Sequence, residues 1–173
     1  SSDVCSSDLR PVPLETGNVA RPQLPGRWPE VTTATVAFGH GIAVTPLHLA
    51  SAVGGLLGPG RPLTPSLERR DEPLAGPAVV DRRVVETLRG LAWRVTTEGS
   101  GSQAQVDGYL VGGKTGTAEK IGPDGAYMDG KVRSSFVAAL PIHAPRYVIF
   151  ALLDEPVGLG ERPDLYYGGW TAA

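Results

Sequence analysis

The feature that most limits how this chain can fold lies in its last third, where three strand-forming runs follow one another at residues 109–118, 134–140 and 146–153. Between them stand Ile121-Gly122-Pro123-Asp124-Gly125 and Pro141-Ile142-His143-Ala144-Pro145, both turn material, so the runs predict an antiparallel meander. Tyr147-Val148-Ile149-Phe150-Ala151-Leu152-Leu153 is apolar throughout and predicts a strand buried on both faces. The first run ends in Gly112-Gly113-Lys114-Thr115-Gly116-Thr117-Ala118. Glycine inside a strand suits a place where a backbone or ligand approaches closely, which puts this run at a sheet edge. A lysine, two hydroxyls and bare backbone can together hold an acyl substrate that carries a carboxylate. Lys-Thr-Gly on its own also fits an ordinary turn.

Two helices are expected upstream. Thr45-Pro46 opens the first, with threonine capping free amides and proline at the first helical position, and Gly58-Pro59-Gly60 closes it. Its Leu47, Leu49, Ala50, Ala52, Val53, Leu56 and Leu57 make it apolar on most sides and predict a core helix. Asp81 caps the second, where Val84, Val85, Leu88, Leu91, Ala92 and Val95 recur at spacings of three and four. Arg82, Arg83, Glu86 and Arg89 fall on its other face, read as solvated surface. Gly99-Ser100-Gly101-Ser102 then breaks the helix with a loop able to reach towards a ligand. Gly39-His40-Gly41 marks a tight bend, Pro62-Leu63-Thr64-Pro65 an extended stretch, and Gly168-Gly169 the entry to a further helix.

Residues 10–29 contain five prolines and read as an extended surface loop, within which Thr16-Gly17-Asn18 reads as a turn. Residues 1–9, Ser-Ser-Asp-Val-Cys-Ser-Ser-Asp-Leu, nearly repeat Ser-Ser-Asp without periodicity and are expected to be a cloning scar or assembly artefact.

At 173 residues, 41% hydrophobic and net charge −2, the chain has the balance of one globular domain. Nothing in its charge suggests a nucleic-acid partner. Cys5 is the only cysteine, and His40, His48 and His143 lack ligand spacing, so neither a disulfide framework nor a metal site is expected. No apolar run approaches the roughly 20 residues of a membrane span.

Several ordered stretches resemble one family. Val36-Ala37-Phe38-Gly39-His40-Gly41-Ile42-Ala43-Val44-Thr45-Pro46-Leu47-His48-Leu49-Ala50, Gly112-Gly113-Lys114-Thr115-Gly116-Thr117-Ala118-Glu119-Lys120, Asp154-Glu155-Pro156 and Tyr167-Gly168-Gly169 are similar to the C-terminal part of the transpeptidase domain of class B penicillin-binding proteins, the cell-division FtsI type. The resemblance runs from about residue 14 to the end. It implies an α+β fold, an antiparallel sheet flanked by helices as in serine β-lactamases, present here as a partial domain. It also implies peptidoglycan D,D-transpeptidation on D-Ala-D-Ala stem peptides, no cofactor, β-lactams as covalent inhibitors, division proteins as partners of the full-length protein, and a place at the periplasmic face of the bacterial inner membrane.

Such enzymes carry a Ser-x-x-Lys nucleophile, a Ser-x-Asn and the Lys-Thr-Gly strand. Lys114, Lys120 and Lys131 are the only lysines, none with serine three positions earlier, and Asn18 is the only asparagine. The chain is therefore expected to be a fragment without the nucleophile, inactive by itself. By the resemblance, Lys114 is catalytic, while Thr115, Gly116 and Thr117 bind substrate. Both hydroxyls receive its carboxylate, and the Thr117 amide joins the oxyanion hole. His48 stands where the family usually has glutamine, a change expected to affect capping. The rival readings are a β-lactamase or D,D-carboxypeptidase relative, which Gly39-His40-Gly41 and Thr45-Pro46-Leu47 speak against, and a binding module that has lost its nucleophile.

Overall fold

A computed structural model describes residues 11–17, 19–158 and 166–173. Residues 1–9 and Asn18 of the expected turn lie outside these. In chain order the elements are α1 (Glu30–Val36), α2 (Pro46–Leu57), β1 (Leu63–Thr64), β2 (Leu74–Ala75), α3 (Arg82–Thr97), β3 (Gly112–Ile121), β4 (Tyr127–Leu140), β5 (Tyr147–Asp154) and α4 (Gly168–Thr171). A 3-10 turn over Ser102–Ala104 follows α3.

The expected meander is present. β3, β4 and β5 form an antiparallel sheet in that order, with Gly112 opposite Ala139, Lys114 opposite Val137 and Thr117 opposite Ser134. β3 begins three residues later than expected, because residues 109–111 precede the ladder, and β4 begins earlier, at Tyr127. Successive strand residues face opposite sides, and each side of the sheet has its own core. On one, Ala139 packs with Leu57 of α2, Ala92 of α3 and Ile142. On the other, Phe136 and Ala138 pack with Val111, Ala104 and the terminal Ala172 and Ala173.

The helix ends follow the sequence closely. Thr45 Oγ1 accepts from the His48 amide at 3.3 Å and lies 2.6 Å from His48 Nδ1, so the histidine does take part in capping. Asp81 accepts from the Arg83 amide at 2.8 Å. The tight bend expected at Gly39-His40-Gly41 is made by both glycines, at φ 92° and 88°.

Four expectations need correction. α2 is a core helix on one side only: Leu57 and Val53 join a core cluster, but only His48, Gly55 and Leu57 are buried and Leu56 is exposed. β5 is not buried on both faces: it borders the sheet, and Tyr147, Ile149, Leu152 and Leu153 are exposed. An apolar run has the composition of a central strand, but it is central only if a further strand pairs with it. Arg89 is not solvated surface. Its guanidinium donates to Leu57 O at 2.6 Å, Gly58 O at 2.8 Å and His143 O at 3.0 Å, tying the end of α2 to the β4–β5 turn. Finally, α1 was not expected, because Val31, Thr32, Thr33, Thr35 and Val36 disfavour helix and none of its residues is buried.

Candidate active site

The site is built on β3, and three anchors fix that strand. Thr96 Oγ1, fully buried near the end of α3, donates to Val111 O at 2.7 Å just ahead of the strand. The Ile142 amide donates to Leu110 O at 2.8 Å. Thr117 Oγ1 accepts from the Gly168 amide at 3.1 Å, joining the strand to α4.

Lys114, Thr115, Gly116 and Thr117 lie consecutively on this edge strand. Alternation separates them. Thr115 and Thr117 share one face, where Thr115 Oγ1 lies 2.8 Å from Ser100 Oγ and Thr117 meets Gly168. Lys114 takes the other, at the rim of an apolar cleft of about 630 Å³ bounded by α2, α3 and Val137. Its long stem still carries the ammonium round the edge, to 2.9 Å from Thr115 O and 3.5 Å from Thr115 Oγ1. One cation and two hydroxyls thus sit around an exposed strand edge.

The glycines have internal reasons to be glycine. A Cβ on Gly112 would lie 2.5 Å from Ile142, and one on Gly113 would lie 2.4 Å from Val137 O. Both residues pair in register, so neither forms a bulge. At Gly116 the Cβ would meet Ser135 Oγ at 2.6 Å. The register shifts only between Glu119 and Ile121.

There Lys120 crosses to the end of β5. It bonds Glu155 at 2.6 Å and Asp154 at 3.1 Å, while Lys131 reaches Glu155 and Arg133 reaches Asp154, each at 3.0 Å. Hydrogen bonds from Lys120 and then Lys131 hold the Glu155 carboxyl down to about 2, and those carboxylates raise the Lys120 ammonium.

Residue patterns did not single out Ser100 or Gly168 for the site. The signals were present in the Gly99-Ser100-Gly101-Ser102 loop and in Tyr167-Gly168-Gly169, but a sequence does not say that both pack on the threonine face of β3.

Comparison with known proteins decides the family. Residues 13–170 match the penicillin binding protein transpeptidase domain. The chain belongs to this family. Within it the likeness is to the FtsI type of class B penicillin-binding protein, as the motifs indicated. The probable peptidoglycan D,D-transpeptidase FtsI of Caulobacter vibrioides is 38% identical over 95% of this chain and 30% of its own length. The peptidoglycan D,D-transpeptidase FtsI of Escherichia coli is 35% identical over 85% of this chain and 24% of its own. Among solved structures, the transpeptidase domain of Burkholderia pseudomallei penicillin-binding protein 3 superposes with a TM-score of 0.80 at 29% identity, covering 93% of this chain and 48% of that one. Penicillin-binding protein 3 of Mycobacterium tuberculosis, complexed with aztreonam, gives 0.70 at 26% identity, covering 84% of this chain and 38% of that one. The chain thus spans about a quarter to a third of the curated relatives' length, and it has the partial α+β fold of the family.

Proposed function

We propose that this chain is the substrate-receiving wall of a peptidoglycan D,D-transpeptidase of septal cell-wall synthesis, whose nucleophilic serine is carried by segments outside this sequence. The observation that carries the reading is the run Lys114–Thr117 on an exposed edge strand, in a chain of this family. In the complete enzyme the serine hydroxyl adds to the carbonyl of a D-Ala-D-Ala stem peptide and forms an acyl-enzyme as the terminal D-Ala leaves. The amine of a neighbouring stem peptide then displaces the serine, restoring its hydroxyl.

The residues of β3 divide the work of holding that substrate. Thr115 and Thr117 donate hydroxyl hydrogen bonds to its terminal carboxylate, and the edge of the strand accepts its backbone as an added strand. The Thr117 amide is one donor of the oxyanion hole, an interaction whose loss typically costs about 3 kcal/mol of transition-state stabilisation. The Lys114 ammonium supplies positive charge to the carboxylate and to the serine of the Ser-x-Asn motif, also outside this sequence. β-Lactams, which carry a carboxylate beside a strained acyl group, enter the same site. The reading puts the complete protein at the periplasmic face of the inner membrane among division proteins. Among the described residues no helix is long and apolar enough to cross a membrane.

The test is labelling by a fluorescent penicillin. The complete protein is expected to become covalently labelled, Lys114→Ala to lose the label with an unchanged melting temperature, and this chain alone to remain unlabelled. Undiminished labelling of Lys114→Ala overturns the role of the lysine. Rapid turnover of nitrocefin by the complete protein would instead place it with the β-lactamases.

A further inference from the structure

Both threonine hydroxyls of β3 are engaged from within the chain, and their partners limit what each can do. The Gly168 amide can only donate, so at Thr117 it occupies a lone pair and leaves the hydroxyl proton for another acceptor. At Thr115 the Lys114 ammonium, likewise a donor only, lies 3.5 Å away, and the second partner is Ser100 Oγ at 2.8 Å. If Ser100 donates, the Thr115 proton is left to point outward. If Thr115 donates, the Ser100 proton is left instead. Each arrangement keeps one O–H of the pair available at the strand edge.

Ser100 is held where this pairing requires it. The Gly101 amide donates to Val95 O at 2.9 Å, and a Cβ on Gly101 would lie 3.0 Å from the Phe136 ring, so the loop lies flat over the end of α3 and the sheet. From the other side Gly169 backs onto the Ser100 carbonyl so closely that a Cβ there would be 2.2 Å from it. The loop is clamped between two elements, and its serine hydroxyl faces the strand.

We propose that Ser100 is a positioning residue for carboxylate recognition, setting the proton of the Ser100–Thr115 pair so that it is offered to an anionic group at the edge of β3. This rests on the transpeptidase reading given above and adds a residue to it. Charge-assisted hydrogen bonds are roughly twice as strong as neutral ones, so the contribution should appear only with a charged ligand.

The experiment compares second-order acylation rates of the complete protein by benzylpenicillin and by its methyl ester, in the wild type, Ser100→Ala and Ser100→Thr. The expected result is a loss of about tenfold with the acid in Ser100→Ala, within the range for one hydrogen bond to a charged group, a change of less than about twofold with the ester, and recovery of most of the loss in Ser100→Thr. Equal losses with acid and ester, or no loss with either, overturn the role of Ser100 while leaving the transpeptidase reading intact. A wild-type protein that neither compound acylates overturns that reading and this inference with it.

Discussion

Arg89 joins three carbonyls that no regular element satisfies: two at the end of α2 and one in the β4–β5 turn. Hydrogen bonds from a charged donor contribute about 1.5–3 kcal/mol each when buried, and Arg89 is only half-buried. Arg89→Met is therefore expected to lower stability by about 2 kcal/mol, read as a lower urea midpoint. Arg89→Lys should recover little, because an ammonium cannot span the fork of a guanidinium. The glycines of β3 make a second contrast at this scale. An added methyl at Gly113 meets the Val137 backbone, which cannot turn away, whereas at Gly116 it meets a serine hydroxyl, which can. Gly113→Ala should cost about 2 kcal/mol, in the usual range for overpacking, and Gly116→Ala distinctly less, as paired thermal melts would show. Nothing in Gly112-Gly113 reveals this. Sequence reading linked these glycines to the close approach of a backbone or a ligand without saying which, because the neighbours that crowd them, Ile142 and Val137, come from other parts of the chain.

Among the elements, the sheet was the most legible part, since turn clusters between β-rich runs prescribe hairpins from local chemistry alone. Its edges were half legible: the glycines of β3 marked one, but the apolar β5 looked like a centre strand. The helix caps were legible because Thr45-Pro46 and Asp81 act within a few residues of themselves. The ion-pair cluster was not, for it joins Lys120 of β3 to carboxylates at the end of β5, on the far side of β4. That cluster should make the far end of the sheet sensitive to acid. Glu155 titrates at about 2 in the folded chain against 4.5 ordinarily, and Asp154 is lowered too. A depressed carboxyl adds stability that is complete above its unfolded value and disappears as pH falls towards its folded one. The melting temperature should thus fall as pH drops from 4.5 towards 2, and Glu155→Gln should flatten that slope. An identical pH profile in the variant would show that the cluster adds nothing to stability.

Across the whole molecule, apolar surface remains open on the sheet and at the cleft beneath Lys114. Ile149 is 55% exposed, Leu91 55% and Val84 48%, although Leu91 and Val84 belong to the apolar stripe of α3. Soluble domains seldom leave such surface contiguous, and the described fold covers 48% of the solved Burkholderia domain. The isolated chain is expected to enhance the fluorescence of a hydrophobic dye strongly, and the complete protein far less per molecule. Equal enhancement would mean that the open faces remain open in both. Sequence could indicate that the third motif was present and the first two were not, but the size of the surface left open depends on three-dimensional packing.

The bond between the Gly168 amide and Thr117 Oγ1 spans 51 positions of sequence. Synthesis runs from the N-terminus, so a nascent chain that has reached only Asp154 already contains β3, β4 and β5 but lacks the partner of Thr117 and the backbone that clamps Ser100. Thr117 Oγ1 therefore meets its Gly168 partner, and the Ser100 loop its second clamp, only after β3, β4 and β5 can already have formed.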